Sequence, residues 1–247
     1  MSRILQENFA PYLPIVMPML LEIANTPLSQ FFYLTADEDE ARAMAARPGV
    51  ELVAIQNKFS VVDKKMIEDK EAAGKLLGVL LDTIGPLLEE YLPEIHNVFL
   101  EFLALPYADL VATGAMGLAL LVRVVTEIGR EAESDTQMVV AIYSSFLHSA
   151  SAAALAEEEV SPSLDVLLNE LALCSSGLPS GVLIDQHLSK LSQIREHVAQ
   201  MLEAYHAHQD RELSPADEAE LKETEQYAES LAESLELLQT VLEDNAQ

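Results

Sequence analysis

Residues 67–105 constrain this chain more than any other stretch. They divide into two helical runs, 69–84 and 88–105, separated by Gly85-Pro86. Glycine ends a helix without steric penalty and proline restarts the chain with a preset φ, so the pair predicts a tight break between antiparallel helices. Neither helix can bury its apolar face alone. The first offers Ala73, Leu76, Leu77, Leu80, Leu81 and Ile84; the second offers Leu88, Leu92, Ile95, Phe99, Phe102 and Leu103. Packed together they form a hairpin of about 40 residues, the size of a HEAT or armadillo unit. Further copies of this unit account for the rest of the chain. The expected fold is all-α, an α-solenoid of about five to six HEAT-type helical hairpins wound into a right-handed superhelix. A sheet of three or more strands would contradict it.

Leu, Ala and Glu, all strong helix formers, dominate the sequence, and only 9 Gly and 11 Pro punctuate it. Half of the residues are hydrophobic, enough for a sizeable core. The formal net charge of −27 repels a phosphate backbone, so nucleic acid is excluded as a partner and basic partners are favoured. The one cysteine, Cys174, excludes an intrachain disulfide and sits in an apolar helical run, as a buried inert thiol would. No basic segment leads into an apolar core at the N-terminus, and the apolar run at 116–122 is stopped by Arg123. No signal peptide and no membrane insertion are therefore expected, which implies a soluble, reducing compartment.

In chain order, 9–25 is expected to be a helix with Tyr12, Val16, Leu20 and Ile23 on one face. Pro11, Pro14 and Pro18 should kink it or delay its start. Tyr12-Leu13-Pro14-x-Val16 echoes Tyr91-Leu92-Pro93-x-Ile95, an offset of 79 positions, near twice a ~40-residue period. The pattern breaks at about 26–62, read as an irregular insertion within a single array spanning 1–247. It holds the acidic run Asp37, Glu38, Asp39, Glu40, a turn at Arg47-Pro48-Gly49 and a short extended piece at 50–55. The acidic run lacks the Gly and the distant Glu of a calcium loop, so it is read as solvated. Helices resume at 110–128, where Ala112, Gly114, Ala115, Gly117 and Ala119 would let a neighbour approach closely. Ser134 or Asp135 can cap the next, to about 156. Ser161-Pro162 opens another with Asp165 in its first turn, and 185–208 follows with Leu188, Leu191, Val198, Met201 and Tyr205 inward. Ser214-Pro215, with Asp217 as capping partner, opens the last, whose seam is Ala228, Leu231, Leu235, Leu238 and Leu242. Neither end resembles a polar capping repeat, so the array is expected to be a fragment of a longer solenoid with that leucine seam incompletely buried.

No catalytic constellation stands out, and no metal site or cofactor is expected. There is no Gly-rich phosphate loop, no His-Glu-x-x-His and no Gly-x-Ser-x-Gly, and His206 and His208 point to different sides of a helix. What remains is surface. Glu90, Glu94, Asn97 and Glu101 step by four, three and four along one helix face. Gln193, Glu196, Gln200 and Glu203 make a second such stripe. Carboxylates interleaved with amides can pair Lys or Arg and also hydrogen-bond an extended backbone. Taken singly, each stripe is also what a solvated helix face looks like. Both are assigned to the second helix of a hairpin, and a solenoid lines its concave wall with the same helix of every repeat, so together they are read as a concave cargo-binding surface.

The stretch Tyr12-Leu13-Pro14-Ile15-Val16-Met17 with Leu20-Leu21 resembles the importin beta superfamily of nuclear transport receptors, nearest to its importin 5, or karyopherin beta-3, branch. In that branch an insert after such a helix leads to a motif matched here by Ile67-Glu68-Asp69-Lys70, with Ala72 and Leu76 behind it. Asp185-Gln186-His187-Leu188, Leu202-Glu203 with His206, and an acidic stretch at 210–225 fit the same branch. Arg and Lys are fewer and the acidic stretch is less dense than in that branch. The resemblance implies a HEAT-repeat segment from the middle of a receptor that shuttles between cytoplasm and nucleus through the nuclear pore and is not an enzyme. It implies as partners cargo proteins with basic localisation segments, Ran-GTP and phenylalanine-glycine nucleoporins. A purely structural HEAT scaffold subunit of a multiprotein complex is the alternative.

Overall fold

The computed structural model describes residues 8–27, 33–35, 50–55, 58–105, 107–131, 137–157, 159–179, 181–207 and 215–245. The run Asp37 to Glu40, the turn at Arg47 to Gly49, the caps assigned to Ser134, Asp135 and Ser214, and His208 lie outside them; the side chain of Asp217 is likewise not described. Eight α-helices are present among the described residues: α1 (Leu13–Ala24), α2 (Lys64–Ile84), α3 (Leu92–Leu103), α4 (Ala108–Glu131), α5 (Gln137–Ala156), α6 (Pro162–Ser176), α7 (Asp185–Ala207) and α8 (Pro215–Asp244). Short 3-10 turns, Ala10–Tyr12 and Gly85–Tyr91, lead into α1 and α3. The first is the late start that the prolines of α1 predict.

The helices stack in two layers as an α-solenoid. The odd-numbered helices α3, α5 and α7 lie side by side, and the even-numbered α2, α4, α6 and α8 do the same beneath them. Four hairpins result, α1/α2, α3/α4, α5/α6 and α7/α8, where about five to six were expected. The pairing differs by one helix from the expectation. α2 and α3, read as one hairpin, scarcely touch; each packs instead on α4. The Gly85-Pro86 break is therefore the step between repeats. Gly85 does not use left-handed backbone, since Gly181 is the one described glycine with positive φ. Its size is what matters, because a Cβ there would meet Val124 Cγ2 at 2.5 Å.

Between α1 and α2 the expected irregular insertion contains a sheet. Strands β1 (Tyr33–Thr35), β2 (Val50–Ile55) and β3 (Lys58–Asp63) pair antiparallel in the order β1-β3-β2, with Val50 opposite Asp63, Ile55 opposite Lys58 and Tyr33 opposite Val61. Val50, Val53, Ile55, Phe59, Val61 and Val62 supply the β-branched and aromatic content that favours strands. This is the three-stranded sheet that the strictly all-α expectation forbade; it is confined to the insertion, while the two layers are built of helices throughout, so the chain is an α-solenoid that carries a small sheet.

The small residues of α4 do what their spacing predicts, with α3 as the neighbour. A Cβ on Gly114 would meet the Phe99 carbonyl oxygen at 2.9 Å, and one on Gly117 would meet Phe99 ring atoms at 2.5 Å. Phe99 and Phe102, both fully buried, meet edge to face at 6.2 Å in this contact. Ser161 caps α6 as predicted, its hydroxyl accepting the Leu164 amide at 3.2 Å, with Pro162 at the first helical position. Other helix phases differ from the expectation. α1 buries Leu13, Met17, Leu21 and Ala24 and turns Tyr12 (59% exposed), Ile15, Met19 and Ile23 outward, because a helix apolar all round has no unique core face in sequence. Leu76, assigned to the core, is 52% exposed. On α8, Leu231 and Leu238 are fully buried and Leu235 and Leu242 partly so, because α6 and α7 close over the seam expected to lack cover. By length and composition Ala108–Gly129 and Gln137–Ala156 are apolar enough to cross a bilayer, contrary to the expectation from the run at 116–122; here both pack within the array.

The Phe99–Gly117 contact gives a quantitative expectation. Phe99→Ala should cost about 3–5 kcal/mol by emptying a buried aromatic site. Gly117→Ala should cost about 1–3 kcal/mol by overpacking the same contact. The double variant should be less destabilised than the sum, since the Phe99 ring is what the new methyl strikes; denaturant melts of the four proteins measure the coupling. Additive costs would show that the helices yield elsewhere.

Candidate functional site

The described residues offer surface more than chemistry. None of their His, Cys, Asp and Glu side chains gather in groups of three or more that could hold a metal ion. Cys174, partly exposed in α6, has its thiol pushed up to about 12 by burial, with Glu170 adding to the shift, so it is an unreactive thiol at neutral pH. His206 is an exposed imidazole beside the Tyr205 ring.

All eight predicted stripe residues are exposed. Glu90 lies on the 3-10 turn before α3, Glu94, Asn97 and Glu101 lie on α3, and Gln193, Glu196, Gln200 and Glu203 lie on α7. Both stripes therefore sit in the odd layer, on the first helix of their hairpins and not the second. Between them runs α5, which has no Asp, Glu, Lys or Arg from Gln137 to Ala156 and exposes Ala141, His148, Ala152 and Leu155. The layer thus presents a neutral, mostly small-residue helix flanked by two acidic and amide rows.

One stripe residue also has a structural partner. Lys70 of α2 is 1% exposed, yet its ammonium is well supplied. It donates to the Ala24 carbonyl at the end of α1, to the Thr26 carbonyl at 3.3 Å and to Glu101 Oε1 at 3.1 Å, and it lies 5.1 Å from the centre of the Phe102 ring. Glu101 is therefore only partly free for a ligand.

The even layer carries a second surface that sequence reasoning missed. Leu76, Val79, Met116 and Leu173 are each about half exposed across α2, α4 and α6. A groove of about 470 Å³ runs between α2 and α4, lined by Gly74, Gly78, Val79, Met116 and Leu120. A second, of about 340 Å³, lies between α4 and α6 and includes Arg123, Glu127, Glu170 and Cys174. Asp82 pairs with Arg123 at the rim. Burial raises the Glu170 carboxyl above its ordinary value. The available signal was Val79 and Met116, apolar residues lying off the buried stripe of their helices.

No protein-family model matches the chain, and no curated protein matches it in sequence. Solved structures do. The crystal structure of Kap121p bound to Pho4p superposes on 98% of this chain with a TM-score of 0.77 at 18% identity. Kap121p bound to Nup53p gives 0.76 at 18%. The karyopherin Kap121p bound to the extreme C-terminus of the protein phosphatase Cdc14p gives 0.75 at 20%. In each case the chain spans 22% of the longer protein. At these identities the likeness establishes the fold alone, a helical-repeat solenoid. The fold is similar to that of Kap121p over about a fifth of that protein's length.

Because Glu101 holds Lys70 and Glu94 holds nothing buried, charge reversal should separate them. Glu94→Lys should change stability by about 0.5 kcal/mol or less. Glu101→Lys should cost about 1–3 kcal/mol, since it leaves a buried donor short of a partner and sets a second cation beside it. Thermal melts of the two variants test this, and equal melting temperatures would show that Lys70 is satisfied without Glu101.

Proposed function

We propose that this chain is a segment of a nuclear transport receptor of the karyopherin type, nearest to the importin 5 branch, and part of a longer HEAT-repeat array. Its acidic odd-layer face takes the basic localisation segments of cargo proteins. The observation that carries this reading is the superposition of nearly the whole chain on a karyopherin solved with bound protein partners, Pho4p and Cdc14p among them. The net charge of −27 supports it, because an array so acidic attracts Lys- and Arg-rich segments and steers their approach. Ran-GTP and phenylalanine-glycine nucleoporins are proposed as further partners of the receptor, which shuttles between cytoplasm and nucleus. Its role is carriage, with no catalysis.

Glu94, Glu196 and Glu203 supply charge at the face, and Asn97, Gln193 and Gln200 supply groups that both donate and accept hydrogen bonds to an extended backbone. The attraction is between exposed charges. It should weaken as the screening length falls from ~10 Å at 0.1 M salt to ~3 Å at 1 M. A Lys-rich peptide should bind the chain at low salt, and the pair Glu94→Lys with Glu196→Lys should reduce affinity roughly tenfold, about 1.4 kcal/mol. Unchanged affinity with normal melts would return both stripes to solvated helix faces. Pull-down of Ran-GTP by the receptor distinguishes transport from scaffolding.

A further inference from the structure

We propose that Ser144 and Ser145, adjacent on α5 and each receiving an imidazole from a different neighbouring helix, form an acid-sensitive latch that holds α3, α5 and α7 together. The inference stands apart from the transport reading and would hold for any role of the array.

The geometry is specific. Ser145 Oγ donates to the Ile142 carbonyl at 2.8 Å, so its hydroxyl proton is already engaged with the α5 backbone. With that proton so placed, its lone pairs face His96 Nε2 of α3 at 2.6 Å and accept from the tautomer that carries its proton on Nε2. Ser144 repeats the arrangement toward the other side. It donates to the Val140 carbonyl at 2.5 Å and faces His187 Nε2 of α7 at 2.8 Å. Two consecutive residues project about 100° apart on a helix, which is why one serine reaches α3 and the next reaches α7. A third link joins α7 to α5, where the Lys190 ammonium donates to His148 Nδ1 at 3.0 Å. An ammonium can only donate, so Nδ1 is the acceptor in this contact. His197 Nε2 donates to the Glu157 carbonyl at 3.1 Å just beyond the end of α5. Four imidazoles thus join the odd-layer helices.

Acid acts on this layer because α5 has nothing to receive a positive charge. Among the described residues, Tyr143 of α5 and Lys190 of α7 are the titratable groups placed against His187; Tyr143 is buried, bonded to Ser175 of α6 and edge-on to the His187 ring. Among the described residues, no carboxylate shifts either imidazole. An imidazolium at His96 or His187 would still donate through Nε2, but a full charge would be buried against an uncharged helix. Burial holds His96 below the ordinary imidazole value, and burial followed by Lys190 does so for His187, where the nearby Val182 backbone opposes the shift. The unfolded chain therefore takes up these protons at higher pH than the folded one. Their contribution to stability is complete above the ordinary value of 6.5 and is lost as pH falls below it. The even layer is joined through buried Leu118, Leu121, Val125, Leu168 and Leu171, which do not titrate. Acid should therefore loosen one layer while the other holds, changing the shape of the array before unfolding it.

The test uses the whole 247-residue chain between pH 7.5 and 5.5, following radius of gyration by small-angle X-ray scattering, helicity by circular dichroism and Tm. The wild type should lose several degrees of Tm and change its radius reversibly across this range, with helicity retained. The variant His96→Gln with His187→Gln keeps a donor at each junction but cannot be protonated, and should lose most of that pH response. Ser144→Ala with Ser145→Ala should show the acid-type radius already at pH 7.5. An unaltered pH response in the glutamine variant overturns the proposal. Should that variant not fold, proton NMR titration of the wild-type imidazoles decides: values for His96 and His187 below the ordinary one support the latch, and values at or above it overturn it.

Discussion

A single buried ammonium holds the start of this array together. Lys70 is almost wholly enclosed, and its nitrogen joins α2 to two other parts of the chain: the Ala24 and Thr26 carbonyls at the end of α1, and on α3 the carboxylate of Glu101 and the ring of Phe102. The last carbonyls of a helix lack intrahelical partners and need a donor from elsewhere. Lys70 supplies that donor from α2, so the helix that follows the insertion satisfies the helix that precedes it. A cation buried without partners would be prohibitive, and here hydrogen-bond acceptors and an aromatic face surround it. The seat of Phe102 then propagates the constraint, because Phe102 and Phe99 fill the space left by Gly74, Gly114 and Gly117. The spacing of α2, α3 and α4 follows from that one cluster.

The two layers solve different problems with different materials. The even helices meet through buried leucines and valines and close approach at glycines, contacts that tolerate little displacement. The odd helices add directed polar bonds through imidazole and hydroxyl groups. Charge divides in the same way. α3 and α7 turn carboxylates and amides to solvent, while α5 between them carries none of the four charged residue types. A ligand crossing this surface would meet acidic rows separated by a neutral strip one helix wide. The even-layer grooves, with Val79, Met116 and Leu173 exposed beside Glu127 and Glu170, offer a more apolar alternative.

Much of this was legible in the sequence because periodicity reports burial locally. The helices, the Ser161-Pro162 cap, the small-residue face of α4 and the exposure of both stripes all follow from spacing and residue type. The hairpin register did not, because Gly85-Pro86 is a connection short enough to look like the turn within a repeat, and only packing reveals that α3 prefers α4. The phase of α1 was ambiguous since leucine, methionine and isoleucine surround it. The sheet was hidden because its strands are short and separated, and only the 50–55 piece stood out. The imidazole contacts could not be found in sequence at all. His96, Ser145, His187 and Ser144 lie on three helices, and no local pattern marks residues that meet only after the layers form.

The place of the insertion has a mechanical consequence. β3 ends at Asp63 and α2 begins at Lys64 without an intervening loop, so the central strand of the sheet continues directly into a 21-residue helix. The other root of the insertion is fixed where Lys70 holds Ala24 and Thr26. The two anchor points are thus tied to each other, and chain length between them is nearly free, since closing a longer loop costs only ~0.6 kcal/mol per doubling. Such a site accepts new sequence without disturbing the stack. A pull on the sheet would be transmitted along the axis of α2, making that helix a lever whose fulcrum is the ammonium of Lys70.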